Sequence, residues 1–208
     1  MDRQYRDLPI RELGPGAGFR RPQQAQPARV TLESPALEAI TDLTRVSPAT
    51  IRPQAPLEGA NHFMISRGVR LLLVIDVRDT VLGVLTATDV LGEKALRVAA
   101  ERGIRRGELT VADLMTPAER VEVIALDELQ AARVGHVLET LRRVGRQHAL
   151  VVDHEVLAAS SPHERPLRRA MVRGIFSVSQ LARQLGLLLP QAGEVARTFA
   201  EIEAALGH

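Results

Sequence analysis

A pattern that occurs twice constrains this chain more than any other feature in it. Gly83-x-x-Thr86-x-x-Asp89 reappears as Gly174-x-x-Ser177-x-x-Gln180, each position displaced by 91 residues. Upstream, Ser66–Asp76 matches Arg143–Asp153, with Gly68 answering Gly145 and Asp76 answering Asp153 at a displacement of 77. The second copy therefore holds 14 extra residues between Asp153 and Gly174. Further back, Ala39–Leu43 is echoed by Val111–Pro117. Self-similarity at so long a period means one supersecondary unit used twice. Each unit alone is near the lower limit for a self-sufficient core, so the two must bury their sheets against each other.

The first copy of the pattern carries chemistry. Val81, Leu82, Val84 and Leu85 suit a buried strand, and Gly83 marks a close approach of another backbone or a ligand. Thr86 stands at the helix N-cap position with Asp89 three residues on. A hydroxyl, free helix N–H groups and a carboxylate thus meet at one strand–helix junction. Helix starts favour phosphate, and a carboxylate can accept the hydroxyls of a ribose. The guest that fits is a nucleotide. The same residues also satisfy an ordinary capping box, which needs no ligand. Comparing the copies separates the two: Ser177 and Gln180 can still cap a helix, but an amide cannot offer a sugar two anionic acceptors. The first copy reads as a competent site and the second as a degenerate or differently specific one.

Local signals place the remaining elements. Ser34-Pro35 opens a lead helix whose face is Leu37, Ile40 and Leu43 or Thr44, and Ser47–Arg52 is the first strand. Leu57, Ala60 and Met64 make a helix ended by Gly68, and Leu71–Ile75 is a buried strand. The helix opened by Thr86 runs through Gly92 to Gly103. In the second unit Leu109–Met115 leads and Val121–Ala125 is a strand; Val134, Val137, Leu138 and Leu141 form the helix face before Gly145. The Ala149–Val152 and Met171–Phe176 strands flank an inserted loop of about residues 154–170, and Leu181 and Leu185 anchor a helix stopped by Gly186. Residues 1–28 are rich in Gly, Pro and Arg, without apolar periodicity, and read as a disordered tail. Val195, Phe199, Ile202 and Leu206 mark a C-terminal amphipathic helix.

Composition enters where it excludes. With no cysteine there are no disulfides, thiolate nucleophiles or cysteine metal sites. The six histidines show no metal-ligand spacing and no Gly-x-Ser-x-Gly elbow occurs, so the expectation is neither an enzyme nor a metalloprotein. The pI of 9.8 sits beside a net charge of only +2, because Lys94 is the sole lysine and arginine keeps its proton. No basic stripe interleaved with aromatics occurs, which argues against a nucleic-acid partner. Apolar runs are far short of a membrane span and no signal-peptide segment is present, so the expected setting is cytoplasmic.

Asp-Leu-Met-Thr-Pro at 113–117, Gly-x-x-Thr-x-x-Asp at 83–89, and a glycine-then-apolar strand before each hairpin resemble the cystathionine-β-synthase-type (CBS) domain pair, or Bateman module, over roughly residues 36–188. The resemblance implies a mixed α/β (α+β) fold of two β-α-β-β-α repeats packed as a pseudo-twofold pair. It divides the chain into a tail (1–28), repeat 1 (29–107), repeat 2 (108–190) and the last helix (191–208). It implies a regulatory module for an adenosine ligand, AMP, ADP or ATP with S-adenosylmethionine as an alternative, held in the cleft between repeats. Asp89 would take the ribose, Thr86 and Thr88 would face phosphate or sugar, and Arg70 would neutralise phosphate. The adenine would lie near Val123 and Ile124, with Arg146, Gln147 or His148 adding contacts. A homodimer and a separate effector protein are the implied partners. The alternative is a dimerisation or interaction module whose pocket has lost its ligand.

Overall fold

The computed structural model describes residues 28–157, 167–187 and 202. The tail expected over residues 1–28, the tip of the insertion and the expected last helix fall almost wholly outside the described residues. Ile202 is an exception, and it is buried in the core of the second half.

The first half is built from local signals the sequence states openly. Helix α1 (Leu57–Arg67) buries Leu57, Ala60 and Met64 on one face and ends where Gly68 takes the left-handed conformation at φ 64°. Strand β3 (Leu71–Ile75) is buried along its whole length and pairs antiparallel with β4 (Val81–Thr86). The tight turn between them is tied by Asp76, whose Oδ1 accepts the backbone N–H groups of Arg78 and Thr80, each at 2.8 Å. The short strand β2 (Thr50–Ile51) adds parallel to β3.

The expected single helix after Thr86 is two helices, α2 (Ala87–Leu91) and α3 (Glu93–Arg102). Gly92 breaks it by adopting an extended conformation, φ −84° and ψ −177°. A Cβ at that position would lie 2.6 Å from the Thr88 carbonyl oxygen, so the break depends on glycine.

The second half repeats the plan with α5 (Val134–Val144), capped by left-handed Gly145, then β7 (His148–Leu157), β8 (Leu167–Ser177) and α6 (Val178–Gln184). Strand β6 (Val123–Ala125) runs parallel to β7. It starts two residues later than the sequence suggests, because Ala118–Arg120 close a 3-10 turn ahead of it. The extra residues lengthen the β7–β8 hairpin, which is paired out to Leu157 and Leu167, so both ends of the expected loop are strand. A ladder that continues satisfies backbone groups that a loop would leave to solvent.

The two halves exchange their lead segments. Strand β1 (Thr41–Asp42) does not join the first sheet but pairs antiparallel with β8 of the second, giving the order β1-β8-β7-β6. Helix α4 (Val111–Leu114) and strand β5 (Thr116–Pro117) return the exchange, giving β2-β3-β4-β5. The bonds that lace each lead segment to the opposite half are equivalent. Ala36 N–H donates to Ala132 O at 2.9 Å as Val111 N–H does to Ala55 O at 3.0 Å. Val134 N–H donates to Ser34 O at 3.0 Å as Leu57 N–H does to Leu109 O at 3.0 Å. This lacing corrects the lead-helix expectation at Ser34-Pro35: the chain is drawn out to reach the second half, and only one 3-10 turn, Ala36–Glu38, remains. It also shifts the internal echo, since Thr41 is matched in register by Thr116 rather than Asp42 by Asp113.

Three apolar clusters result. One lies beneath the helices of the first sheet and includes Leu109, Val111 and Leu114 from the exchanged segment. A second lies beneath the helices of the second sheet and includes Val30, Ala36 and Ala39. The third joins the sheets face to face through Leu71, Leu73, Ile75, Val84 and Leu150. Burial of these side chains is the main favourable term, at about 25 cal/mol per Å² of apolar surface.

Candidate functional site

The site grows from the end of β4. Thr86 is the N-cap of α2, extended at φ −109° and ψ 160°. Its hydroxyl accepts the Asp89 N–H at 3.3 Å, while Asp89 Oδ2 accepts the Thr86 N–H at 2.9 Å and the Thr86 hydroxyl at 2.6 Å. The other carboxylate oxygen, Oδ1, accepts Lys94 Nζ at 2.7 Å. The same ammonium donates to the Leu114 carbonyl oxygen at 2.5 Å, at the end of α4. Asp89 is therefore a capping residue and an ion-pair partner at once, its side chain 15% exposed.

Above this junction opens a cavity of about 220 Å³ between the halves. The first half lines it with Leu71, Val84, Thr86, Thr88 and Asp89, and the exchanged strand adds Thr116. The second half lines it with Val121, Glu122, Gly145, Arg146, Gln147, His148 and Leu150. Arg146 Nε donates to Glu122 Oε2 at 3.2 Å across the wall. His148 begins β7 opposite Ser177. Its pKa is pushed down to about 4, first by burial and then by the positive charge of Arg70. At neutral pH it is an uncharged imidazole, able to donate from one nitrogen and accept at the other.

Thr86, Thr88 and Asp89 are thus brought together on one cavity, with Arg146, Gln147 and His148 facing them from the other half. Arg70 is not on the lining, although its charge reaches His148. Val123 and Ile124 are not on it either; the neighbouring Val121 and Glu122 are. Val123 is 47% exposed, and Ile124 lines a separate, shallow apolar cavity of about 370 Å³ with Leu129, Ala132 and Val137. The late start of β6 accounts for this, because the segment preceding the strand is what faces the cleft. Sequence patterns do not point to Thr116 or Lys94. Lys94 leaves one signal, as the single lysine in a chain otherwise supplied with arginine.

The second junction is built differently. Ser177 makes no side-chain cap to α6, which corrects the expectation of a Ser177–Gln180 capping box. The Ser177 hydroxyl instead lies 3.0 Å from that of Ser179, and Gln180 Oε1 accepts the Thr41 hydroxyl at 2.9 Å. The exchanged strand β1 offers a donor that the longer glutamine side chain can reach, and a neutral amide is not held at the helix start by the dipole. Another box, Thr110–Asp113 at the start of α4, repeats the two bonds to the carboxylate, with the Thr110 N–H donating to Asp113 Oδ2 at 2.7 Å and its hydroxyl at 2.9 Å, and Arg102 in the place of Lys94. Asp113 is not on the cavity lining, so the box alone does not make a site.

Among the described residues no group of three histidine, cysteine, aspartate or glutamate side chains is placed to hold a metal. No helix among them is long and apolar enough to cross a membrane.

Residues 37–95 match the family model of the CBS domain. The fold is similar to that of an uncharacterised conserved protein from Pyrococcus horikoshii, with TM-score 0.50, 18% identity, and coverage of 78% of this chain and 100% of that one. CBSX2 in complex with AMP aligns with TM-score 0.46 and 18% identity over 72% of this chain and 94% of its own. The CBS domain pair of protein MJ0100, in complex with 5′-methylthioadenosine and S-adenosyl-L-methionine, aligns with TM-score 0.45 and 21% identity over 71% and 97%. No curated protein matches the sequence.

Proposed function

We propose that this chain, whose residues 37–95 match the CBS domain model, is a tandem CBS pair, or Bateman module, that works as a regulatory adenosine-ligand sensor rather than an enzyme. The ligand, an adenine nucleotide or S-adenosylmethionine, occupies the cleft between the halves. Occupancy passes to a separate effector protein through a change in shape or stability, and a homodimer is the form in which the module works.

One observation carries this reading. Thr86, Thr88 and Asp89 from one half share a cavity with Arg146, Gln147 and His148 from the other, so a ligand there touches both halves at once. In it Asp89 Oδ1, which accepts only Lys94 among the described residues, keeps acceptor capacity for a ribose hydroxyl. Thr86 and Thr88 face sugar or phosphate, and Arg70 supplies positive charge, with Arg146 paired to Glu122 on the opposite wall. The adenine is assigned to the segment just before β6, at Val121 and Glu122, which line the cavity where Val123 and Ile124 do not.

Thermal unfolding across AMP, ADP, ATP and S-adenosylmethionine tests it. A ligand at one hundred times its dissociation constant adds about 2.7 kcal/mol to stability. A flat response to all four favours the alternative, a ligand-free dimerisation or interaction module. That alternative draws its support from the Asp89 carboxylate, which Thr86 and Lys94 already satisfy.

A further inference from the structure

The charges around the cleft are nearly cancelled before any ligand arrives. Asp89 is matched by Lys94 at 2.7 Å, and Glu122 by Arg146 at 3.2 Å. Lys94 is further committed to the Leu114 carbonyl oxygen at 2.5 Å, which leaves one of its three N–H groups. His148 contributes no charge at neutral pH, since burial and Arg70 oppose its protonation. Arg70 immediately precedes Leu71 of the cavity wall, and its carbonyl oxygen accepts the Ala87 N–H at 2.9 Å beside Thr86 and Thr88, so it borders the cleft as a cation with no carboxylate partner among the described residues. Among the described residues the charges on the cavity wall are therefore matched in pairs, and Arg70 borders them unpaired.

Each phosphate beyond the first would need another. Drawing Lys94 away to meet it would strand the Asp89 carboxylate, 15% exposed and without a second cation among the described residues. Drawing Arg146 away would leave Glu122 facing the incoming anion.

We propose that the cleft selects adenosine ligands of low negative charge, a nucleoside monophosphate ahead of the di- and triphosphates. The proposal rests on the cleft being the adenosine site and adds the ligand class it accepts. Arg70 sets the preference: it is the charge that distinguishes a monophosphate from the bare nucleoside.

Isothermal titration of the full chain with adenosine, AMP, ADP and ATP, in metal-free buffer near pH 7.5, tests it. The expected order puts AMP first, about tenfold or more tighter than ATP, equivalent to about 1.4 kcal/mol. Arg70→Ala removes the advantage of AMP over adenosine, while Arg70→Lys retains it. ATP binding as tightly as AMP overturns the charge argument and leaves the adenosine site standing. An AMP advantage that survives in Arg70→Ala overturns the role of Arg70. No heat and no thermal shift with any of the four overturns this proposal and the sensor reading together.

Discussion

Gly83 on β4 and Thr116 on β5 come from different repeats, and a methyl group at position 83 would overlap the Thr116 carbonyl oxygen. It would also stand 3.1 Å from the Pro117 Cα, so the exchanged strand docks only because position 83 has no side chain. The glycine of the repeated pattern serves backbone against backbone.

Gly83→Ala should therefore cost about 1–3 kcal/mol, the range for forcing extra volume into a packed site. Gly174→Ala should cost less, because the atoms in its way are mainly the Ile40 side-chain end, which can turn, with Thr41 O at 3.1 Å. Urea unfolding of the two variants decides the matter; the reverse order would show that β5 docks less tightly than β1.

His148 should make stability depend on pH in a defined window. Its pKa is about 4 in the folded protein against 6.5 for the free side chain, so between those values the unfolded chain binds more protons. The contribution is present above pH 6.5 and declines as pH falls toward 4. His148→Gln should flatten that part of the profile of unfolding free energy against pH. An unchanged profile in the variant would mean the imidazole is not desolvated.

At Asp89 two effects should separate. Asp89→Asn weakens the cap and leaves Lys94 without its carboxylate, at a cost of about 0.5–2 kcal/mol in unfolding experiments. It should also weaken AMP binding by roughly ten- to a hundred-fold, the worth of a charge-assisted hydrogen-bond pair. Gln180→Ala, at the matching position, should leave AMP affinity within about twofold, since its amide is taken by Thr41. Normal AMP binding by Asp89→Asn would remove Asp89 from the site and spare the fold.

Asp42 and Arg173 tie β1 to β8, and the bond to Arg173, followed by those to Thr44, holds the Asp42 carboxyl well below the usual carboxylate range. The stability this gives is present above about pH 4 and lost only as the solution is made strongly acidic. A double-mutant cycle on Asp42→Asn and Arg173→Gln should return a coupling of about 1–3 kcal/mol. Additive effects would mean that the pair does not fasten the exchanged strand.

Much of this architecture is written in short spans. Gly68 and Gly145 end their helices because a left-handed residue is needed there, and Leu71–Ile75 reads as a buried strand because every residue in it is apolar. Thr86, Thr88 and Asp89 are legible as one cluster because a helix start gathers them without help from elsewhere. The lead helix expected at Ser34 is absent for the opposite reason: its local propensity is overridden by bonds to Ala132 and Val134, far along the chain. Gly92 is tolerable inside a helix by propensity alone, but its extended backbone depends on where α3 must pack. Spacing cannot assign Thr116 to the site, since it arrives on the exchanged strand, nor Lys94, which meets Asp89 from α3 across the break at Gly92.

That trade of strands has an outcome for how the molecule can be divided. Cut between its repeats, each piece would keep a three-stranded remnant with a bare border and an apolar floor lacking Val30, Ala36 and Ala39 on one side, or Leu109, Val111 and Leu114 on the other. Such a remnant has an open template for the missing strand, and an identical molecule can supply it. Neither piece is a portable cassette; the smallest self-sufficient unit of this fold is the reciprocal whole.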